Sequence, residues 1–304
     1  MRIALTGATG FLGSAVLHRL IFEGHAVKAL TRRPQPERPG VEWVAGDLAD
    51  AAALDTLADG ADAVIHVAGA VNAPDRQAFA AANVTGTAMT LAAAERAAVP
   101  RFVLVSSLSA RAPHLSDYSW SKHGGEELVR ASSLDWTIVR PPAIYGPADR
   151  EMLEVFRMAR RGLVLLPPAG RLSVIHVDDL THLLVALARD RSSTTRHQLY
   201  EVDDGTAGGL THRDFAQALG DAVGRRGFAF ALPRAALMTA ARIDRLVRGH
   251  GAKLTPDRVR YFCHPDWVAD PARAVPAELW MPHIATALGL AATAAAYRAK
   301  GWLK

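Results

Sequence analysis

The stretch "RIALTGATGFLG", residues 2–13, decides the fold. A short apolar run gives way to Gly7, Gly10 and Gly13, and "FLGSAVLHRLIFEG" (11–24) then takes up helical periodicity and closes on glycine. Strand, glycine turn and helix start, in that order, build a cradle for a pyrophosphate. One glycine makes the tight turn, one lets the backbone come close to the phosphates, and one lets helix and strand pack. The first N–H groups of the helix add unpaired donors and a partial positive charge. Gly7, Thr9, Gly10, Phe11, Leu12 and Gly13 are therefore candidate contacts to a dinucleotide.

The rest of the first half repeats the pattern. Strand-like runs recur at 26–31, 41–46, 62–69, 101–107 and 136–141, with a later one at 197–202. Helical segments lie between most of them, at about 50–58, 75–98 and 116–132. Near-continuous apolar strands alternating with helices predict an α/β fold: a doubly wound parallel Rossmann sheet covered on both faces.

The strand ends place further candidates. After the second strand come Thr31, Arg32 and Arg33, with no acid until Glu37. A carboxylate there would bind ribose hydroxyls, whereas Arg32 would pair with a 2′-phosphate, so NADP(H) is favoured over NAD(H). Asp47, followed by Leu48, ends the third strand, where it would accept from the adenine amino group or cap the next helix. His66, Val67, Ala68 and Gly69 end the fourth strand and would touch the adenosine half. Pro141, Pro142 and Ile144 follow the sixth and would shape the nicotinamide pocket or serve as a rigid exit.

Past residue 145 the alternation fades. Residues 146–172, a helix followed by a Pro/Gly loop, and 205–283, helices and loops with many prolines and no clear strand alternation, read as a smaller, mostly helical substrate lobe. The Rossmann domain then comprises 1–145, 173–204 and 284–304. A helix capped by Asp178 or Asp179 follows a short strand, and His176 reads as a packed strand histidine. In the lobe, Leu237, Ala240, Ile243 and Val247 recur at helical spacing with arginines between them. That stripe reads as core or, alternatively, as a greasy channel or membrane-surface contact for a lipid-like alcohol.

Composition excludes other classes. Half of the 304 residues are hydrophobic and 21% are charged, which supports a large core. The net charge of +5 is spread along the chain, so a small-molecule substrate and a phosphorylated cofactor are expected, and no nucleic acid. A single cysteine, Cys263, precludes an internal disulfide, and twelve histidines without an HxxxH pair argue against a metal. No apolar run approaches the roughly 20 residues of a bilayer span, and "MRIALTGATG" reads as a strand rather than a signal peptide. A cytoplasmic location is expected.

With "TGATGFLG", "NVTGT" (83–87), "YSWSK" (118–122), "RPPAIYGP" (140–147) and "IHVDDL" (175–180) in order, the chain resembles the extended short-chain dehydrogenase/reductase superfamily, in its NAD(P)-dependent epimerase/dehydratase branch. The tail is similar to bacterial reductases near the 3β-hydroxysteroid dehydrogenase and dihydroflavonol reductase groups. By this resemblance Tyr118 is the acid–base catalyst, Lys122 its electrostatic partner and ribose anchor, and Ser107 the polariser of the substrate oxygen. Ser106 and Ser109 compete for that last role, and strand alternation turns 106 away from 107 and 109. A free phenol titrates near 10, so an ammonium at ~4 Å in a sheltered cleft is expected to pull it down by roughly 3 units. Asn83 would brace the site or sit as a buried helix asparagine. The resemblance implies an oxidoreductase moving hydride between NADP(H) and a carbonyl or secondary alcohol. The alternatives are a nucleotide-sugar epimerase or dehydratase and a non-catalytic dinucleotide-binding subunit. Family members often form homodimers.

Overall fold

The computed structural model describes residues 1–225, 227–249, 252 and 254–303; Arg226, His250, Gly251 and Lys253 of the expected lobe, and Lys304, lie outside the described residues. Along the chain run β1 (Arg2–Thr6), α1 (Phe11–Phe22), β2 (Ala26–Thr31), β3 (Val41–Ala45), α2 (Ala51–Ala58), β4 (Ala63–His66), α3 (Arg76–Ala80), α4 (Gly86–Arg96), β5 (Phe102–Val105), α5 (Asp117–Ala131) and β6 (Trp136–Arg140). There follow β7 (Ala143–Tyr145), α6 (Leu153–Arg160), β8 (Leu163–Leu166), β9 (Arg171–Leu172), β10 (Val174–His176), α7 (Val177–Arg189), β11 (Gln198–Glu201), β12 (Leu210–Thr211), α8 (His212–Val223), β13 (Phe228–Ala231), α9 (Arg234–Arg248), α10 (Pro256–Phe262), β14 (Asp266–Trp267) and α11 (Thr286–Ala299).

The chain divides into two compact units. The first comprises Met1–Arg140, Leu180–Glu201 and Val275–Trp280, and the second Pro141–Asp179, Val202–Ala274 and Met281–Lys304.

The first unit holds a seven-stranded sheet in the order β11-β6-β5-β4-β1-β2-β3. Every pairing in it is parallel. The order reverses at β1, so the crevice outside the carboxyl ends of β1 and β4 is where such a sheet takes its ligand. Ile3, Ala4 and Leu5 are fully buried, as are Ala63 and Ile65, because helices cover both faces. Leu54, Leu57, Leu91 and Ala94 of α2 and α4 pack on Val64, Phe102 and Ile138 of the sheet. Side-chain caps set where helices begin: Asp50 accepts from Ala53 N at 3.0 Å, and Ser116 from Ser119 N at 3.0 Å. Such caps are worth about 1 kcal/mol each.

The segment expected as one helix over 75–98 is α3 and α4 joined by a single π turn, Ala81–Thr85. A π turn bulges the backbone and re-aims a side chain, here Asn83.

The second unit differs from expectation in two ways. It contains short strands where none were read: β8 pairs with β13, and β9 pairs with both β12 and β14. It also contains the C-terminal helix and residues 141–145, 173–179 and 202–204, which were read with the Rossmann domain, while Val275–Trp280, read with the lobe, groups with the first unit. Leu290, Ala294 and Tyr297 of α11 are buried in a core with Phe215 and Leu219 of α8 and Phe156 of α6. Asp178 and Asp179 lie inside the first turn of α7 rather than capping it. Asp179 instead accepts from the backbone N–H groups of His283 and Ile284 at 3.2 and 2.9 Å. His176 is a packed strand residue, its ring set edge-on to Tyr145 at 5.3 Å.

Candidate active site

The glycine loop leaves no room for side chains at two of its three glycines. Gly7 has φ +75°, and a Cβ there would lie 2.8 Å from the backbone N of Ala68. A Cβ on Gly13 would lie 1.9 Å from Gly7 O, so α1 could not pack on β1 with any larger residue. Gly10, in contrast, is exposed and meets nothing closer than Gly7 O at 3.4 Å. As the N-cap of α1 it has no side chain to satisfy the first N–H groups of the helix. Thr9 is exposed beside it, Phe11 is half-buried and Leu12 is buried, so Thr9 and Gly10 form the open lip and Leu12 and Gly13 the packed floor. Residues that present free N–H groups at a helix start on the carboxyl edge of a sheet fit a dinucleotide pyrophosphate.

Around this lip, Arg32 is exposed at the end of β2 and enters no hydrogen bond or ion pair among the described residues. Asp47 is exposed after β3 and bends its own turn by accepting from Ala49 N at 2.8 Å. It does not cap α2, a role taken by Asp50. Leu48 sits against Gly86 of α4, where a Cβ would lie 2.7 Å from Leu48 Cδ1. Val67 and Ala68 are half-buried and Gly69 exposed at the exit of β4, and Ala68 N donates to Thr6 Oγ1 at 3.1 Å. His66 is not free to touch a ligand. It is 1% exposed and held between Thr6 Oγ1 at 2.8 Å and Thr87 Oγ1 at 3.2 Å. Burial, with the nearby Lys122 charge, pushes its pKa down to about 3, so it stays neutral. Pro141 and Ile144 belong to the second unit, where Ile144 of β7 aligns with Ile175 of β10.

The serine, tyrosine and lysine meet through α5. Ser116 caps the helix, and Tyr118, half-buried, is near its start. Two glycines one turn beyond Lys122 let α5 approach the π turn: a Cβ on Gly125 would lie 2.6 Å from Asn83 O, and one on Gly124 3.1 Å from Val84 Cγ2. Asn83 does brace the site. Its Oδ1 accepts from Ala70 N at 2.8 Å, and its Nδ2 donates to Ala70 O at 2.9 Å and Ser121 Oγ at 2.8 Å. It thereby ties the exit of β4 to α5. Lys122 is buried, its Nζ donating to Val105 O at 2.7 Å, and a Cβ on Gly69 would lie 3.8 Å from that ammonium. The ammonium thus stands where β4 and β5 end. Burial brings its pKa down to about 8 against the opposing pull of Glu126.

Charge draws Ser106 away from the other two serines. Ser106 Oγ donates to Glu126 Oε1 at 2.5 Å, on the side of the strand away from Ser107. Ser107 Oγ accepts from Ser109 N at 3.2 Å and lies against the Tyr118 phenol, whereas Ser109 Oγ is buried with no hydrogen-bond partner among the described residues. Burial holds that phenol above its ordinary pKa, and the serine hydroxyls near it offset only part of the rise. This overturns the expectation of a lowered value, because desolvation favours the neutral phenol and the Lys122 ammonium is engaged by a backbone carbonyl.

Behind the site lies a buried ionic chain absent from the sequence reading. Glu126, fully buried, takes a bidentate contact from Arg140 at 2.8 and 2.6 Å and one from Arg130 at 3.2 Å. Arg140 continues to Glu201 at 3.2 Å, and Glu201 to Arg111 at 3.2 Å. Two signals pointed to it. Glu126 falls one turn after Lys122 on the same helix, and Arg140 ends an apolar strand, where a charge needs a partner. Among the described residues no cluster of His, Cys, Asp or Glu is arranged to hold a metal, and no helix is long and apolar enough to cross a membrane.

A parallel sheet in this order, with a glycine lip and a Tyr/Lys pair at its carboxyl edge, defines a dinucleotide-binding enzyme class. Residues 7–191 match the family described as NAD(P)H-binding. A ceramide reductase of Caulobacter vibrioides is 39% identical over 99% of this chain and 96% of its own length. A 2-alkyl-3-oxoalkanoate reductase of Stenotrophomonas maltophilia is 30% identical over 90% of this chain and 93% of its own. Among solved structures, the Bordetella bronchiseptica enzyme WbmG in complex with NAD superposes with a TM-score of 0.77 at 20% identity, covering 100% of this chain and 96% of that one. The chain belongs to the NAD(P)H-binding, extended short-chain dehydrogenase/reductase family and is an enzyme of that family.

Proposed function

We propose that this chain is an NADPH-dependent reductase of a ketone carried on a long-chain, lipid-like molecule, with Tyr118 as its proton donor. The observation that supports this most is the grouping of Ser107, Tyr118 and Lys122 on rigid elements where β4 and β5 end. The two relatives similar along nearly their whole length are named as reductases of a ceramide and of a 2-alkyl-3-oxoalkanoate, which motivates the lipid-like substrate.

The residues fit the cofactor. Gly7, Thr9 and Gly10 would hold the pyrophosphate, Arg32 the 2′-phosphate, Asp47 and Leu48 the adenine, and Lys122 the ribose near the reacting ring. Bound NADPH would supply the hydride. In the reductive direction the Ser107 hydroxyl holds the substrate oxygen, and the Tyr118 hydroxyl gives that oxygen its proton as negative charge develops on it. A phenol held above its ordinary pKa is fully protonated near neutrality, which suits a donor. Charged Lys122 stabilises the phenolate left behind.

The test is a turnover screen with NADPH and NADH against long-chain ketones, steroids, short ketones and sugar nucleotides, read as loss of reduced-cofactor absorbance. Stoichiometric loss with a long-chain ketone is expected; an epimerase would change its substrate and leave the absorbance constant. Tyr118→Phe should lower turnover by about 10³-fold while cofactor affinity is nearly unchanged. Comparable turnover in that variant would remove the mechanism.

A further inference from the structure

Helix α9 turns its apolar side to solvent. At 3.6 residues per turn, Ala236, Thr239, Ala240, Ile243, Leu246 and Val247 share one side, and every one of them is exposed. Ile243, Leu246 and Val247 are 57%, 87% and 76% exposed. The opposite side carries Ala241, the one buried residue of the helix. Of the stripe read as core, Ala240, Ile243 and Val247 are therefore exposed and Leu237 is half-buried. Arg242 and Arg248 stand nearest its edges, Arg248 paired with Asp244 at 3.2 Å, while Arg234 and Arg245 lie across the helix beside Ala241; Asp244 is the helix's single acid. Just before the helix, β13 adds a second uncovered apolar face. Its register with β8 aligns Phe228 with Leu163 and Phe230 with Leu165, so the four share one side of the ribbon, at 79%, 46%, 61% and 46% exposure.

We propose that α9 docks on the surface of an anionic phospholipid bilayer. An uncovered apolar side on a helix with four exposed arginines and one acid matches the interfacial layer: the apolar residues enter the acyl boundary, and the long guanidinium side chains nearest the edge, Arg242 foremost, reach back to the phosphates. The charge selects this occupant over a second copy of the chain, because self-contact would bring together two helices that each carry four arginines and one acid. The inference rests on the lipid-like substrate proposed above, since such a molecule resides in a bilayer and an enzyme that works on it gains by staying at the surface.

The test is flotation of the full chain with phosphatidylcholine vesicles, with and without phosphatidylglycerol. Binding is expected only with phosphatidylglycerol and is expected to weaken with salt. A Leu246→Glu/Val247→Glu variant, changed only at exposed positions and checked for an unaltered melting temperature, should bind at least about tenfold more weakly. Arg242→Gln/Arg248→Gln should lose the preference for phosphatidylglycerol. Failure of the wild type to float, or flotation of Leu246→Glu/Val247→Glu as strong as wild type, overturns the proposal. So does a dimer in sedimentation that Leu246→Glu/Val247→Glu splits, which would assign the face to a second copy. Turnover of a detergent-dispersed long-chain ketone is measured in parallel. Turnover without flotation overturns the docking alone, whereas flotation without turnover upholds it and overturns the substrate reading.

Discussion

Replacing Gly125 by alanine tests whether the helix that carries Tyr118 and Lys122 is positioned by close backbone contact. The added Cβ would lie 2.6 Å from Asn83 O, about 0.8 Å short of ordinary contact. The carbonyl cannot give way cheaply, because Asn83 is held by two hydrogen bonds to Ala70 and one to Ser121. The helix must therefore move, and Lys122, one turn away, moves with it. A displacement approaching 1 Å in a catalytic group costs on the order of 10²-fold in rate. We expect kcat to fall by roughly 30- to 100-fold, with a stability loss of about 1–3 kcal/mol from overpacking. Dinucleotide affinity should change far less, since the glycine lip sits on β1 and α1. Gly124→Ala is the control: its Cβ meets the Val84 side chain at 3.1 Å, which can turn aside, so kcat should stay within about threefold. Steady-state kinetics on the preferred ketone, cofactor titration and thermal melting read the three quantities. If Gly125→Ala melts like wild type and keeps its kcat within about threefold, the backbone contact does not position the site.

Arg32→Glu should weaken NADPH binding by about 10- to 100-fold, the worth of one charge-assisted contact replaced by repulsion, and leave NADH binding equal or better. An unchanged ratio of the two affinities would remove the arginine from the 2′-phosphate. The depressed pKa of Lys122, about 8, means that folding penalises its charged form. That penalty is fully present below about 8 and is relieved as pH rises from there toward the ordinary lysine range. Reduction needs the charge, so kcat/KM should fall as pH passes about 8, and a flat profile across that window would exclude the role. Glu126→Ala leaves Arg140 without its bidentate partner and should cost about 3–5 kcal/mol in denaturant unfolding. A loss below about 1 kcal/mol would show the ionic chain to be dispensable.

The sheet and the glycine lip were legible because both are local signals: apolar runs of four to six residues, and glycines at fixed offsets from a strand end. What escaped depended on contacts distant in sequence. Nothing near "VSSLS" tells that Ser106 is drawn away from Tyr118; that is the work of Glu126, twenty residues on in the chain, which takes the hydroxyl of Ser106. The strands "LVLL" and "FAFA" are too short for alternation to register, and they exist because each pairs with the other. The alanine-rich α11 has apolar residues on most sides, so its periodicity could not say that it would pack on α8. The stripe on α9 shows the same limit. Spacing tells which residues share a side of a helix, and only the tertiary structure tells whether anything covers that side.

Electrostatics supply the last link between the fold and a neutral carbonyl. Burial moves three groups near the site toward their uncharged forms: the phenol of Tyr118 upward, Lys122 to about 8 and His66 to about 3. The strong charges of Glu126, Arg140 and Glu201 neutralise one another behind the strands. Tyr118 therefore stands in desolvating surroundings with Lys122 as the charge near the site, while the glycine lip at the carboxyl end of β1 turns N–H groups outward. A pyrophosphate suits the lip. At the tyrosine, a ketone on an apolar chain is desolvated at little cost, whereas an anionic reacting group would enter against the same desolvation that keeps the phenol protonated.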